Sequence, residues 1–176
     1  MSSGDLATFI GDDRVFQLGR ITVNFQHCES IFAFLTWNLI PTDDETGAAI
    51  TAQLPFSKLL TLFQSLAARR LTSRLDLIAQ FEELVARASA LEQERNALVH
   101  SAWGASETPG VRRIKITVSR KSGVRLDSPE VGSDEIRRIA DDLGQASREL
   151  LEIALAARTD GLMSFKTSDG PASAAP

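Results

Sequence analysis

Three long stretches of this chain repeat apolar residues every three or four positions, and no other feature narrows its fold so far. Over residues 13–40 the positions Phe16, Ile21, Phe25, Cys28, Phe32, Leu35 and Leu39 recur at helical spacing. Asp12 or Asp13 can cap that helix and Pro41 ends it. Over residues 74–102 the positions Leu77, Phe81, Leu84, Ala88, Leu91, Arg95, Leu98 and Ala102 fall on one stripe at 100° per residue, which predicts a rod of roughly 40 Å. A last helix is expected over residues 133–158, capped by Ser133 and carrying Ile136, Ile139, Leu143, Leu150, Ile153 and Leu155 on its apolar face. A shorter one opens with Pro55 in its first turn, buries Phe56, Leu59, Leu60, Phe63 and Leu66, and runs to about Arg70.

Between these stretches the chemistry changes. Residues 41–47, Pro-Thr-Asp-Asp-Glu-Thr-Gly, read as a loop, and so do residues 103–110 with their glycines, serine and Pro109. Residues 112–118 alternate polar with apolar side chains like a strand, Ser122-Gly123 supplies a turn, and Val124-Arg125-Leu126 can return beside it. The expected architecture is therefore all-α: a bundle of about four helices with a small β-hairpin, residues 112–126, inserted before the last helix. Residues 1–12 form an N-terminal segment, 13–158 the bundle, and 159–176 a flexible tail, small and polar from Thr167 onward.

A chain of 176 residues with 43% hydrophobic content can bury one sizeable core. Its longest apolar runs, such as residues 31–35, fall far short of the roughly 20 residues that cross a bilayer. The N-terminus lacks a basic start and an apolar centre, so a cytoplasmic protein with no membrane association is expected. The lone cysteine, Cys28, has no internal partner and suits a reduced thiol in a core. His27 lies beside it, but adjacent helical residues point about 100° apart and cannot activate one another, so both read as structural.

Net charge is −4, unevenly spread. Six of the 19 basic residues, Arg112, Arg113, Lys115, Arg120, Lys121 and Arg125, fall in one acid-free stretch, so 13 basic face 23 acidic residues elsewhere. A basic hairpin on an acidic body can steer RNA toward a nearby site, with Arg112, Arg113 and Lys115 as the candidate contacts. The same charges also protect a solvated sheet edge from aggregation, and both readings stay open.

One segment carries chemistry: Arg95-Asn96-Ala97-Leu98-Val99-His100, near the end of the longest helix. Arg95 sits in the middle of the apolar stripe, where a guanidinium that cannot lose its proton must snorkel, pair or await an anion. Glu92, three residues back, is the local carboxylate. Asn96 and His100, four apart, share a face, while His100 stands about 140° round the helix from Arg95. Convergence of all three needs a frayed helix end, a long reach by Arg95, or a second subunit, and the last is the most economical.

The pattern Arg-Asn-x-x-x-His resembles the Arg-x4-6-His signature of HEPN domains, in which a polar residue follows the arginine. The position of the motif on a long helix and the bundle around it extend the resemblance over residues 13–158. It implies a ribonuclease that needs no metal, or an RNA-binding domain, of the toxin, antiviral-defence or RNA-processing kind, acting as a homodimer with a composite site. Arg95 would hold the scissile phosphate, Asn96 would orient it or the histidine, and His100 would move the proton. The chemistry is coherent, since imidazole titrates near neutrality and arginine offers paired donors to a phosphate. One toxin branch carries a tyrosine two residues after the histidine, which a partner antitoxin modifies. Here that position is Ala102 and the chain has no tyrosine, which argues against regulation by that route.

Trp103 can stack on a base or close the helix end against the core. The sequence holds no phosphate-binding glycine motif and no cluster with metal-ligand spacing, so neither cofactor nor metal is expected. The competing reading is a non-catalytic helical module that binds a protein partner, with Arg95, Asn96 and His100 in structural roles.

Overall fold

The computed structural model describes residues 10–105, 111–119 and 123–159. Among them are five helices and three strands: α1 (Asp12–Leu39), α2 (Asp44–Thr51), α3 (Phe56–Arg70), α4 (Leu75–Val99), β1 (Ala102–Ala105), β2 (Val111–Ser119), β3 (Gly123–Asp127) and α5 (Ser133–Thr159). The predominantly helical class and the small sheet before the last helix are as the periodicity predicts. No helix among the described residues is long and apolar enough to cross a membrane. Residues 160–176, most of the expected flexible tail, and residues 1–9 lie outside the described residues, as do residues 106–110 of the expected loop and residues 120–122, which include Arg120, Lys121 and Ser122 of the expected turn.

Three elements differ from the sequence reading. A helix over residues 44–51 begins inside the loop expected at 41–47, because Asp43 accepts the Thr46 amide at 2.8 Å and the Thr46 hydroxyl at 2.9 Å. Acidic and hydroxyl residues start helices as readily as they make turns, and their spacing does not separate the two uses. Residues 102–105 form a strand, so the hairpin becomes a three-stranded antiparallel sheet in the order β1-β2-β3. Four residues are too few to show a periodicity. Finally, α4 stops at Val99, short of Ala102.

By its internal contacts the chain divides into two compact units. The first comprises Met1–Cys28 and Ala86–Arg148. Its buried residues include Ile21, Phe25, Leu91, Leu98, Val111, Val131, Ile136, Ile139 and Leu143. Polar ties join its helices: Arg20 to Asp141 at 2.6 Å, Asn24 Nδ2 to the Ala140 carbonyl at 2.8 Å, and Arg138 to Glu94 at 2.5 Å. Within its sheet, β2 is central at its start, where Val111–Ile114 pair with β1 while Arg113 N and Val131 N bond the Pro129 and Val111 carbonyls across the other edge. Further along, Lys115 to Ser119 pair with β3.

The second unit comprises Glu29–Val85 and Glu149–Pro176. Its described core is aromatic: Phe32 meets Phe56 and Phe63 edge to face at 5.9 and 5.3 Å, and Phe63 meets Phe81 at 5.1 Å. Such pairs are favoured by the ring quadrupole, each by about 0.5–1.5 kcal/mol beyond area burial. The short α2 is held by the Trp37 indole N–H, which donates to the Thr51 hydroxyl, and by Gly47, where a Cβ would stand only 3.0 Å from the Trp37 Cβ.

Side-chain burial follows the predicted stripes with exceptions. Phe16 and Leu155, expected on apolar faces, are exposed, and Leu66 and Ile153 are only partly covered. A stripe names the side of a helix, but how far along that side neighbours reach is a tertiary matter.

Candidate functional site

Arg95, Asn96 and His100 come together within one chain. Asn96 Oδ1 accepts from Arg95 Nη1 at 2.7 Å, and the same Nη1 lies 3.1 Å from His100 Nε2. A guanidinium only donates, so His100 presents a lone pair at Nε2 in this arrangement, with its ring proton on Nδ1. Of the three routes to convergence, the two within one chain are the ones seen, not the second subunit that spacing makes the most economical: the 140° separation is closed by the reach of Arg95 and by the helix ending at Val99, which leaves His100 in the turn beyond. The His100 amide still bonds the Asn96 carbonyl at 3.2 Å, so the imidazole stays one turn from Asn96.

Arg95 does not use Glu92. Among the described residues no carboxylate lies within ion-pair distance of its guanidinium, which instead sits 4.7 Å from the centre of the Phe25 ring. That cation–π contact explains how a charge is tolerated in an apolar stripe: the face of a buried ring, not a carboxylate, receives it. Its Nε is buried and has no hydrogen-bond partner among the described residues. Arg95 and Asn96 are half-buried and His100 is exposed, so the cluster opens to solvent from the imidazole side.

The helix end is built by side chains rather than by glycine or proline. In a continued helix the Ala97 carbonyl would receive the Ser101 amide. Here it takes the Ser101 hydroxyl at 2.6 Å and Arg113 Nη1 at 3.0 Å. Serine competing for its own backbone, together with a cation at the negative end of the helix, ends α4 and sets His100 at the edge.

The candidate RNA contacts divide accordingly. Arg113 is only 16% exposed and lies 4.0 Å from Asp127, so it braces the helix end and is not free to bind phosphate. Arg112 is half-exposed and lies 3.6 Å from Glu130. Lys115 stands exposed on the outer part of β2. Trp103 is half-buried on β1, opposite Arg113. Next to Arg95 in sequence, Glu94 holds Arg138 together with Asp142, and the Glu94 carboxylate keeps that guanidinium's pKa above its ordinary value.

Sequence reasoning missed Phe25, Ser101 and the bracing role of Arg113. The first looks like any core position, and nothing in the spacing pairs it with a residue 70 positions on. Ser101 could have been found from its place at a helix end.

Among the described residues no group of three His, Cys, Asp or Glu side chains is placed to hold a metal ion. Cys28 is buried and its neighbour His27 exposed, so the two side chains face different surroundings. Compared with family models, with curated proteins and with solved structures, the chain matches none.

Proposed function

We propose that this chain is an HEPN-like RNA-directed domain, acting as a homodimer, whose Arg95, Asn96 and His100 cleave or grip RNA without a metal. The observation that carries this reading is the shared contact of Arg95 Nη1 with Asn96 and His100 Nε2. A polar trio at the solvent-facing end of a helix, with its cation opposed by no carboxylate among the described residues, is suited to an anionic ligand.

In the reaction the guanidinium turns from the imidazole to the scissile phosphate, which frees the Nε2 lone pair. His100 then takes the proton of the ribose 2′-hydroxyl as O2′ bonds to phosphorus and the P–O5′ bond breaks, and the departing oxygen takes a proton from water. Arg95 opposes the charge that grows on the phosphoryl oxygens, and Asn96 holds the guanidinium in register. The products are a 2′,3′-cyclic phosphate and a 5′-hydroxyl.

The test is cleavage of single-stranded RNA in EDTA by the wild-type protein and by His100→Ala. Loss of about a hundred-fold or more in the variant supports the assignment. Equal cleavage by both removes it. RNA binding without cleavage by either leaves a gripping domain, and neither binding nor cleavage favours a non-catalytic module for a protein partner.

A further inference from the structure

Several arginines of this chain are held by carboxylates. Arg20, Arg74, Arg137 and Arg138 each meet an aspartate or a glutamate at 2.5–3.4 Å, and Arg74 gives Asp76 both its Nε and its Nη2, at 2.9 and 2.7 Å. Arg95 has the same opportunity. Glu92 stands three residues back on α4, a spacing at which two helical side chains meet. Yet the Arg95 guanidinium carbon lies 4.7 Å from the centre of the Phe25 ring, and its Nη1 serves Asn96 and His100.

The ring prevails for a physical reason. Phe25 is 6% exposed, so its face is already fixed and out of water, and a cation over such a face is held more firmly than one in the open. A pair with Glu92, itself only partly covered, would order two long side chains within reach of solvent, and pairs of that kind contribute little.

The two kinds of partner leave different things for a ligand. A carboxylate occupies the N–H donors and opposes the charge, so an incoming phosphate has to displace it. A ring face takes no N–H and cancels no charge. Its pull depends on the cation standing over the face rather than on any one N–H, so the guanidinium can turn from the imidazole toward phosphate while its carbon stays over the ring.

We propose that Phe25 is a positioning residue of this site. Its ring face keeps Arg95 away from Glu92, with its charge unopposed by any carboxylate among the described residues and its Nη1 between Asn96 and His100, ready for an RNA phosphate. This rests on the RNA-directed reading above and adds to it a residue from another helix.

The experiment compares wild type with Phe25→Leu, with Glu92→Gln, with the two combined, and with a ring-fluorinated phenylalanine in place of Phe25. Fluorines on the ring edge drain the negative face but nearly keep the shape of the ring, so the fluorinated protein should fold even where the cavity left by leucine lowers Tm. Cleavage of single-stranded RNA in EDTA is read as kcat and KM, and the imidazole nitrogen shifts of His100 are read by NMR without RNA. In Phe25→Leu, Glu92 captures Arg95 in part of the molecules. KM should then rise on the order of 10-fold with kcat retained, because saturating RNA draws the captured fraction back. A merely loosened core would lower kcat through lost active protein and leave KM alone. The fluorinated ring should raise KM by a smaller factor, Glu92→Gln alone should change neither constant, and Glu92→Gln added to Phe25→Leu should restore most of the KM. The His100 shifts should move toward the Nε2-protonated tautomer in Phe25→Leu and in the fluorinated protein. Unchanged His100 shifts in the fluorinated protein, a loss confined to kcat, or a KM that Glu92→Gln does not recover overturns the proposal. The two readings fail separately: a wild type that cuts no RNA removes the nuclease, while the His100 shifts still decide whether Phe25 places Arg95.

Discussion

Arg113 donates to the carbonyl of Ala97 at 3.0 Å, joining the strand that follows the motif to the last turn of the helix that carries it. The residue most easily taken for a phosphate contact is thus a brace for the imidazole's perch. Arg113→Ala should destabilise the protein by about 1–3 kcal/mol, the range for losing a partly buried charge-assisted bond, measured by urea unfolding. Lys115→Ala should leave stability within about 0.5 kcal/mol and lower the salt slope of RNA binding by about 1. A stable Arg113→Ala protein would show that the Ser101 hydroxyl alone ends α4.

His100 should be neutral with its proton on Nδ1 whenever Arg95 engages it, since only a ring lone pair can accept from a guanidinium. Nitrogen chemical shifts of the imidazole should report that tautomer in the wild type and a shift toward the Nε2-protonated form in Arg95→Ala. An unchanged tautomer in the variant would mean that Arg95 does not orient the ring.

Gly47 is a steric requirement of the short α2. Gly47→Ala places a methyl group against the Trp37 side chain, and the expected cost is about 1–3 kcal/mol despite alanine's better helix propensity. Thermal unfolding would check it. A stabilised variant would show that Trp37 can move aside without loss.

Two exposed carboxyl groups should contribute to the pH dependence of stability in acid. The Thr46 amide holds the Asp43 carboxyl below its ordinary 3.8, and Arg74 holds that of Asp76 at about 2. Both pKa values are depressed in the folded state, so their contribution is complete above the unfolded value and is lost as pH falls from about 4 toward 2. Asp43→Asn keeps a capping oxygen but does not titrate, so it should flatten the decline of Tm across that window while changing little at pH 7. An identical decline in wild type and Asp43→Asn would remove Asp43 from the account.

Much of the helical skeleton was legible without coordinates. The positions of α1, α3, α4 and α5 follow from residues such as Phe32, Phe63, Phe81 and Leu143, whose spacing leaves one apolar side to bury. The 44–51 helix was not legible, because Asp43 and Thr46 serve turns and caps alike. The candidate trio was found as residues but not as a geometry: spacing on an ideal helix separates Arg95 from His100, and only the early stop of α4 and the length of an arginine side chain bring them together.

Periodicity is a local property, so the chain by itself determined which segments are helical, which side of each is apolar, and that a cation stands among the apolar positions of α4. What that cation meets was decided by tertiary structure. Phe25 approaches it from a helix 70 residues earlier, Arg113 reaches the neighbouring Ala97 carbonyl from a strand 16 residues later, and no pattern within a single helix encodes a neighbour that folding alone delivers.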